Sequence, residues 1–431
     1  MLPSDPDRPA EPARLAVLDR FLDDHRGQLL ALAEDLVAVD SQIPPYGDEV
    51  AIVGVVRQRL RDLGLPVGDI LAADPDRPNL VATLPGTGSA DDQQRGGRRG
   101  RRLMLSGHLD TKPVGPARDQ WRTDPLVPEV MDGILYGLGT ADMKAACAAM
   151  IMATHAVREA WGPVAGDVTL ALLADEEAGS RFGARYVAPL IAARADACLI
   201  GEPGGWQHDY QALHLVSRGL FAFMIEVRGT QLHSSLSDRM PAVNATVKLA
   251  ELITDLDRWT GLTYQPHPLG ESGPTLNVGV LVEGGVSYGT IAGRARFGCD
   301  LRALPGMTPE SILVDLRKWL DARMAADPDL DAVIIPAPEL EWIPPSEIAA
   351  DHPLVATVTG ASDAVLGRVP PLSVFPGATD APWFDLAGLP TIPSFGPGVL
   401  TWCHGPNEHV AVTAIEQAAK LYARSIVGFC S

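Results

Sequence analysis

Short apolar segments alternate with helical ones between residues 79 and 200, and this alternation constrains the fold more than any other feature of the chain. Four segments read as strands and two as helices: strands at 79–84, 103–105, 167–174 and 197–200, and helices at 143–160 and 183–193. Strands that alternate with helices form a largely parallel sheet with helices on both faces. Ligands of such sheets bind at the carboxyl ends of the strands, so polar residues that follow a strand are the first candidates for a site.

The pattern changes near residue 214 and returns to α/β alternation after about residue 340. The intervening stretch reads as longer strands and two helices: strands at 220–228, 275–282 and 294–304, and helices at 241–259 and 309–325. Such a set is typical of a small α+β module with an antiparallel sheet. The sequence therefore predicts a discontinuous α/β domain, 1–213 and 337–431, that carries an inserted α+β domain, 214–336.

Composition and charge exclude several classes of protein. A chain of 431 residues with a formal net charge of −19 is a poor partner for a nucleic-acid backbone or an anionic membrane. No apolar run approaches the roughly 20 residues that span a bilayer, and the first residues lack the pattern of a signal peptide. The five cysteines are odd in number and scattered, which indicates reduced thiols in a cytoplasmic protein. The five arginines of the segment 92–102 could indicate an anionic partner, but a solvated, mobile loop between two strands is the favoured interpretation.

The stretch LMLSGHLDTKPVG, residues 103–115, contains the first candidate site residues. His108 and Asp110 lie one residue apart after a short strand, and such side chains point the same way on an extended backbone. This arrangement suits a metal-binding imidazole whose second ring nitrogen is held by a carboxylate. A surface turn with polar residues is the competing interpretation of the stretch taken alone.

Further acidic residues and a second histidine follow other strands or precede helices: Asp142, Glu176, Glu177, Glu202 and His404. Oxygen and nitrogen donors in this mixture suit zinc, with cobalt or manganese as alternatives, and they suit two ions better than one. A two-metal site needs a bridging carboxylate and a base that is not a ligand, and the adjacent Glu176 and Glu177 can divide ligation and proton transfer between them. An acidic helix N-terminus would explain Asp142 or Glu177 alone, but it explains five coincident positions poorly.

Five motifs in order, SGHLDTKPVG, YGLGTADMK, ADEEAGS, IGEP and WCHGPNEHV, resemble those of the metallopeptidase M20 family. That family includes acetylornithine deacetylase, succinyl-diaminopimelate desuccinylase, aminoacylase-1 and glutamate carboxypeptidase. The resemblance runs from about residue 40 to the C-terminus. It implies a zinc-exopeptidase-like α/β domain with an inserted lid and dimerisation domain.

The resemblance also implies roles for individual residues. His108 and Glu202 would bind separate metal ions, Asp142 would bridge the two ions, and Glu177 and His404 would complete the coordination. Glu176 would be the general base and Asp110 the partner of His108. A cis peptide is expected at Asp142–Met143.

Residues of the predicted lid resemble the family's substrate contacts. His233 is expected to stabilise the oxyanion, commonly in the active site of the partner subunit of a homodimer. Asn277 and Arg302 are expected to hold a substrate carboxylate, which Arg can bind through its planar fork. Gly377 and Thr379 belong to a loop expected beside the site. A hydrogen-bonded strand end remains the alternative for His233, and a salt bridge within the sheet remains the alternative for Arg302.

The resulting hypothesis is a two-metal amidohydrolase that removes an acyl group from an N-acyl amino acid or a related small molecule, as acetylornithine deacetylase does. A metallo-carboxypeptidase or dipeptidase with the same site is the alternative, and a non-catalytic binding protein on this fold is the alternative from another class. A dinucleotide site at YGLGTA is excluded because the third glycine is missing.

Overall fold

The computed structural model describes residues 11–88, 100–270, 272–337 and 342–431. The Arg-rich segment 92–102 therefore lies mostly outside the described residues. The chain forms two compact units. The larger unit contains the stretches Met1–Val216, Glu347–Ser373 and Thr379–Ser431, and the smaller unit contains Ser217–Ser346 and Val374–Ala378.

The larger unit is organised around a six-stranded sheet. Its strands, in spatial order, are Asp69–Leu71, Asn79–Leu84, Val168–Leu173, Leu103–His108, Ala197–Ile200 and Thr391–Ile392. Leu103–His108 runs parallel to both of its neighbours, with His108 beside Leu173 and Ser106 beside Ile200. The two strands nearest Asp69 pair in antiparallel fashion. This register brings the carboxyl ends of three central strands to one edge of the sheet.

The central strands form because their side chains can be buried on both faces of the sheet. Every residue of Leu103–His108 and of Val168–Leu173 is buried. Continuous apolar strands of this kind occur where helices cover both sides of a parallel sheet. The helices of the larger unit are Glu11–Asp24, Arg26–Val37, Glu49–Asp62, Ala145–Ala156, Ala184–Ile191, Pro353–Leu366, Ala381–Leu386 and Val412–Cys430.

The helix Ala145–Ala156 of the larger unit packs against the helix Val412–Cys430. Its many alanines allow a close approach of neighbouring backbone, and all but one of its residues are buried. Short ladders complete this unit. They pair Pro203–Gly205 with Gly396–Val399, and Ile134–Tyr136 with both Glu129–Met131 and His409–Ala411.

The chain divides between the units near three further strands, Leu213–Ser217, Ser346–Glu347 and Leu372–Phe375. The smaller unit is a four-stranded antiparallel sheet in the order Thr275–Gly284, Arg294–Ala303, Gly219–Arg228 and Asp331–Pro336. The helices Ala245–Asp257 and Pro309–Ala326 pack on this sheet, and a short ladder joins Leu232–His233 to Thr290–Ile291. The predicted fold class, a mixed and largely parallel α/β sheet with an inserted α+β module, is confirmed.

Among the residues described, no helix combines the length and the apolar content that crossing a bilayer requires.

Candidate active site

Candidate site residues of the larger unit follow three neighbouring parallel strands. His108 ends the strand Leu103–His108, Glu176 and Glu177 follow Val168–Leu173, and Glu202 follows Ala197–Ile200. Because these strands run in the same direction, their ends deliver the four side chains to one edge of the sheet. Asp142 enters from the turn before the helix Ala145–Ala156, and His404 enters from the loop after Gly396–Val399.

Asp142 lies at the centre of this cluster. Its Oδ1 is 3.0 Å from Nε2 of His108, and its Oδ2 is 3.1 Å from Nε2 of His404. The two oxygens of one carboxylate therefore face two different imidazoles. A carboxylate that bridges two metal ions presents its oxygens in this way. The peptide bond Asp142–Met143 is cis, as the resemblance implied.

Two further carboxylates lie near the two imidazoles, one beside each. Oε1 of Glu202 is 3.5 Å from Nε2 of His108, and Oε1 of Glu177 is 3.0 Å from Nε2 of His404. These contacts favour one shared ion for His108 and Glu202 over the separate ions that the resemblance implied. Their strands are neighbours in the sheet, and this adjacency puts both donors on the same side of Asp142.

The spacing of the donor atoms fits metal ions. Ligand atoms at about 2.0–2.2 Å from a tetrahedral zinc ion lie about 3.3–3.6 Å from one another. The separations of 3.0–3.5 Å between imidazole nitrogens and carboxylate oxygens are close to these values. His108, Asp142, Glu177 and Glu202 are buried, and only the His404 side chain, 46% exposed, faces solvent. The residues present thus suit a pair of divalent ions bound through nitrogen and oxygen.

Electrostatics favours cations at this site, because carboxyl groups outnumber imidazoles. Burial alone would lower the pKa of His404, but its hydrogen bonds with Asp142 and Glu177 raise that pKa to about 11. Burial alone would raise the pKa of Asp142, but the two imidazoles hold it well below its ordinary value. Burial and the charge of Asp142 raise the pKa of Glu202 to about 8, against the effect of His108.

Glu176 lies beside the cluster without being tied to it. A carboxylate oxygen of Glu176 is within 4.8 Å of donor atoms of both His108 and Glu202. Within the described ranges, the carboxylate of Glu176 makes no hydrogen bond. Burial raises the pKa of Glu176 well above its ordinary value, and Glu202, Asp380 and Glu177 add to this effect while His108 opposes it. A carboxyl group in such surroundings is suited to accepting and releasing a proton.

Asp110 lies beside His108, but the contact differs from the expected one. Nδ1 of His108 is 3.0 Å from the main-chain oxygen of Asp110 and 3.6 Å from its Oδ1, so the hydrogen bond falls on the main chain. The carboxylate of Asp110 instead accepts the main-chain N–H groups of Glu176 at 3.2 Å and Glu177 at 3.0 Å. Asp110 therefore connects the strand that carries His108 to the turn that carries the two glutamates.

Several contacts around the cluster were not anticipated from the sequence. The buried carboxylate of Glu408 accepts the main-chain N–H groups of Ala141 at 3.0 Å and Asp142 at 3.1 Å. Nζ of Lys112 lies 3.1 Å from Oε2 of Glu177. Glu408 belongs to the motif WCHGPNEHV, so its place in the sequence could have indicated a role, whereas the motif alone does not show that its partner is main chain.

Another unanticipated contact joins two loops of the larger unit. The Ser180 hydroxyl donates a hydrogen bond to Oδ1 of the buried Asp380 at 2.6 Å. The neighbouring Thr379, one of the predicted substrate contacts, is buried, and its Oγ1 accepts the N–H of Ala381 at 3.2 Å. The hydroxyl of Thr379 thus accepts the N–H of the first residue of the helix Ala381–Leu386.

The other predicted substrate contacts belong to the smaller unit. His233 is exposed, and its Nδ1 is 2.8 Å from the Ser235 hydroxyl. Asn277 is exposed on the edge strand Thr275–Gly284. Arg302 makes a bidentate salt bridge to Asp300, at 2.9 Å and 3.0 Å, which is the alternative that the sequence left open for it. The carbonyl of Gly377 accepts the main-chain N–H of Arg218 at 3.0 Å.

Comparison with known proteins identifies the family to which this chain is similar. The family model of the peptidase family M20/M25/M40 matches residues 104–427. The chain is 25% identical to N-formyl-4-amino-5-aminomethyl-2-methylpyrimidine deformylase of Bacillus subtilis, and the alignment covers 96% of this chain and 97% of that protein. It is 32% identical to acetylornithine deacetylase of Proteus mirabilis over 82% of each chain.

Solved structures agree on the fold. The dipeptidase Dug1p of Saccharomyces cerevisiae superposes with a TM-score of 0.77 at 15% sequence identity, and the match covers 96% of this chain and 98% of that one. Fold, site and relatives together define a metal-dependent hydrolase that acts on amide bonds. The chain belongs to the peptidase family M20/M25/M40.

Proposed function

We propose that the protein removes an acyl group from an N-acyl amino acid or a related small amine, with two divalent ions held by five residues. His108 and Glu202 would hold one ion, Glu177 and His404 the other, and Asp142 would contribute one oxygen to each. The observation that carries the proposal is the contact of the two Asp142 oxygens with two separate imidazoles. Zinc is the expected metal, with cobalt or manganese as alternatives, because the donors are imidazole and carboxylate.

The chain's own residues supply the proton transfers. Two bound ions would provide the positive charge that lowers the pKa of the attacking water. Glu176 accepts the proton of that water as its oxygen attacks the acyl carbon. The raised pKa of Glu176 favours this uptake of the proton, and the same carboxyl group then delivers the proton to the leaving amine.

Residues of the smaller unit are proposed to bind the rest of the substrate. The partner subunit's His233 would stabilise the developing oxyanion, as a donor aimed at such charge does in other hydrolases. Arg302 would exchange its salt bridge with Asp300 for a substrate carboxylate, assisted by Asn277. Gly377 and Thr379 would shape the loop beside the acyl group.

The choice of an acyl group rests on the relatives. The two proteins described above are named for removing formyl and acetyl groups from amines, and their alignments cover most of this chain. The structural match to a dipeptidase is at 15% identity and supports the fold alone. A dipeptidase or metallo-carboxypeptidase with the same site is therefore the second candidate.

A hydrolysis panel on the purified protein tests this choice. The protein is stripped of metal, reloaded with zinc, cobalt or manganese, and assayed on N-formyl, N-acetyl and N-succinyl amino acids, N-acyl glutamates and dipeptides. We expect hydrolysis of an N-acyl amino acid and loss of activity after chelation. Faster hydrolysis of dipeptides or N-acyl glutamates would support the second candidate. Absence of hydrolysis of every amide with all three metals would contradict both.

A homodimer through the smaller unit is part of the proposal. The edge strand Thr275–Gly284 exposes a row of apolar side chains, Val280, Leu281 and Val282, each more than half exposed. Exposed apolar edges are a common site of pairing with a second chain. Light scattering should give about twice the mass of one 45.8 kDa chain, and Leu281→Glu should halve it, whereas Val314→Glu on the helix Pro309–Ala326 should not.

Mixing two inactive variants tests the role across subunits. His233→Ala and Glu176→Gln each remove one proposed group. If His233 acts in the partner's site, a mixture that exchanges subunits regains activity that neither variant has alone. A monomeric and fully active wild-type protein would show that this role is wrong.

A further inference from the structure

A buried ion cluster is formed by Glu49, Arg77 and Asp175. It contacts the turn that carries Glu176, because Asp175 itself belongs to that turn. The side chains of all three are no more than 9% exposed. Nε of Arg77 pairs with Oε2 of Glu49, and Nη2 of Arg77 lies 3.0 Å from Oε1 of Glu49 and 2.6 Å from Oδ1 of Asp175. One guanidinium therefore holds two carboxylates that come from the start of the helix Glu49–Asp62 and from the end of the strand Val168–Leu173.

In the turn after the strand Val168–Leu173, each main-chain N–H from residue 174 to residue 177 donates a hydrogen bond to a side chain. Asn79 accepts the N–H of residue 174 at 3.0 Å, and Oε1 of Glu49 accepts the N–H of residue 175 at 3.1 Å. Asp110 accepts the next two, at 3.2 Å and 3.0 Å. Four consecutive N–H groups leave the strand ladder and are all satisfied by side chains from other elements, so the path of the turn is defined by those side chains.

Asp175 has a backbone conformation that the surroundings must maintain. Its φ is +65°, in the left-handed region that non-glycine residues adopt at a cost. Its two carboxylate oxygens have separate partners, because Oδ1 contacts Arg77 and Oδ2 accepts the N–H of Phe182 at 2.7 Å. The carboxylate of Asp175 thus connects the turn both to the main chain of Phe182 and to the side chain of Arg77.

Glu176 depends on this turn for its position. In the part of the chain that the structure describes, no side chain holds the Glu176 carboxylate by a hydrogen bond, so the orientation of Cα–Cβ at residue 176 comes from the backbone alone. The metal-ligand candidate next to it is different, because Glu177 is held through its own carboxylate by Lys112 and His404. A shift of the turn would therefore displace Glu176 more than Glu177.

We propose that Arg77 is a positioning residue of the reaction: with Glu49, it holds Asp175 and so directs the Glu176 carboxylate. The inference rests on the proposed role of Glu176 in proton transfer. Stability alone does not account for the cluster. Replacing buried ion pairs by apolar groups of similar volume is often neutral or stabilising, so a buried arginine shared by two carboxylates is a weak source of stability.

Three variants test the inference: Arg77→Met, Arg77→Lys and Asp175→Asn. Arg77→Met should lower kcat about 100-fold, because a displacement of a reacting group by about 1 Å has an effect of this size, and KM should stay within about twofold. Arg77→Lys keeps the charge and should recover part of the loss. Asp175→Asn keeps the size of the side chain and is expected to fold even if Arg77→Met does not. It should also lower kcat, by a smaller factor.

Arg424→Met is the matched control. Arg424 also makes a bidentate salt bridge, to Asp19, and its side chain is largely buried in the helix Val412–Cys430 of the same unit. Its replacement should lower the melting temperature and leave kcat and KM unchanged. A loss of kcat in Arg424→Met as large as that in Arg77→Met would show that stability, not position, is responsible.

A crystal structure of Arg77→Met or Asp175→Asn with metal gives a readout that needs no substrate. We expect Glu176 to move or to occupy two orientations while His108, Asp142 and Glu202 stay in place and metal content equals that of the wild-type protein. An unmoved Glu176, or a wild-type kcat in Asp175→Asn, would overturn the inference. Failure of the proposed function would be visible separately, in the substrate panel of the wild-type protein.

Discussion

The two units hold their candidate functional residues in opposite ways. In the larger unit, four of the five proposed ligands are no more than 7% exposed, and every one contacts another member of the cluster. In the smaller unit, His233 and Asn277 are exposed and Arg302 is paired with its own neighbour Asp300. The proposed metal ligands are thus buried and already in contact with one another, whereas the predicted substrate contacts keep freedom to rearrange.

This difference has an energetic basis. Buried carboxylates stay ionised only when cations or hydrogen-bond donors surround them, so a cluster of this kind is fixed by the fold around it. Exposed polar side chains satisfy their hydrogen bonds with water and can change partners at little cost. Substitutions in the larger unit should therefore affect catalysis and metal affinity, and those in the smaller unit should affect substrate binding.

The largest effect is expected for Glu176→Gln. Glutamine cannot carry the proton, so kcat should fall by about 10²–10⁴-fold while metal content stays unchanged. Steady-state kinetics and elemental analysis of the same preparation measure both quantities. Glu34→Gln, on the helix Arg26–Val37, is the control and should retain full activity. Near-normal kcat in Glu176→Gln would mean that another group accepts the proton.

Glu408→Ala tests whether a residue that contacts the main chain of Asp142 helps to preorganise the proposed metal site of the larger unit. The substitution removes the acceptor of the Ala141 and Asp142 N–H groups and should weaken metal affinity by about 10–100-fold, as loss of a supporting group commonly does. Competition with a chelator measures the affinity. Asp196→Ala also removes a carboxylate that accepts a main-chain N–H, from Arg102, and it should leave metal affinity unchanged. Equal affinities in the two variants would contradict the role of Glu408.

Arg302→Met tests the smaller unit. Loss of a bidentate contact with a substrate carboxylate should raise KM by about tenfold or more, with a smaller change in kcat. Arg59→Met, which removes a partly exposed salt bridge to Asp35 in the larger unit, is the comparison. If both variants lower only the melting temperature, Arg302 is a structural residue of its sheet and the contrast between the units disappears.

The smallest effect concerns a helix terminus of the larger unit outside the cluster. Nδ1 of His352 accepts the N–H of Leu354 at 3.2 Å and begins the helix Pro353–Leu366. Burial, and then the charge of Arg101, lower the pKa of His352 below 6.5. Because the folded pKa lies below the unfolded one, this stabilisation is present above pH 6.5 and is lost as pH falls through the folded pKa.

The loss should be about 1 kcal/mol, the usual contribution of an N-terminal cap. His352→Asn supplies a cap that does not titrate, so the difference in unfolding free energy between the two proteins should grow as pH falls. Urea unfolding at several pH values measures this difference. A pH-independent difference would show that the His352 cap does not titrate in this range.

The sequence was sufficient to predict the residues of the cluster but not all of their contacts. Periodicity and strand ends indicated the sheet edge on which His108, Glu176 and Glu202 meet, because parallel strands end together. Pairing was harder. The contact between His108 and Glu202 favours one shared ion over the separate ions that the resemblance implied. Which strand ends are adjacent depends on the strand order, and a single sequence does not contain that order.

Residues that act through main-chain contacts were missed for a related reason. Arg77 and Glu408 reach the site through N–H groups or through a neighbouring carboxylate, and nothing in their local sequence marks such a partner. Asp110 was assigned to His108 from their spacing, whereas its carboxylate belongs to the turn of Glu176 and Glu177. Sequence patterns thus predicted residue types and positions better than they predicted hydrogen-bond partners.

The discontinuity of the larger unit has a consequence for the nascent chain. The smaller unit is nearly continuous, whereas the larger unit needs residues that follow it, including the strand Thr391–Ile392 and the loop of His404. At about 5–20 residues per second, a ribosome takes about 10–40 s to pass from Val216 to His404. During that interval the emerging chain holds His108 and four carboxyl groups without their second imidazole. The proposed metal site can therefore form only after the chain has passed the smaller unit and reached His404.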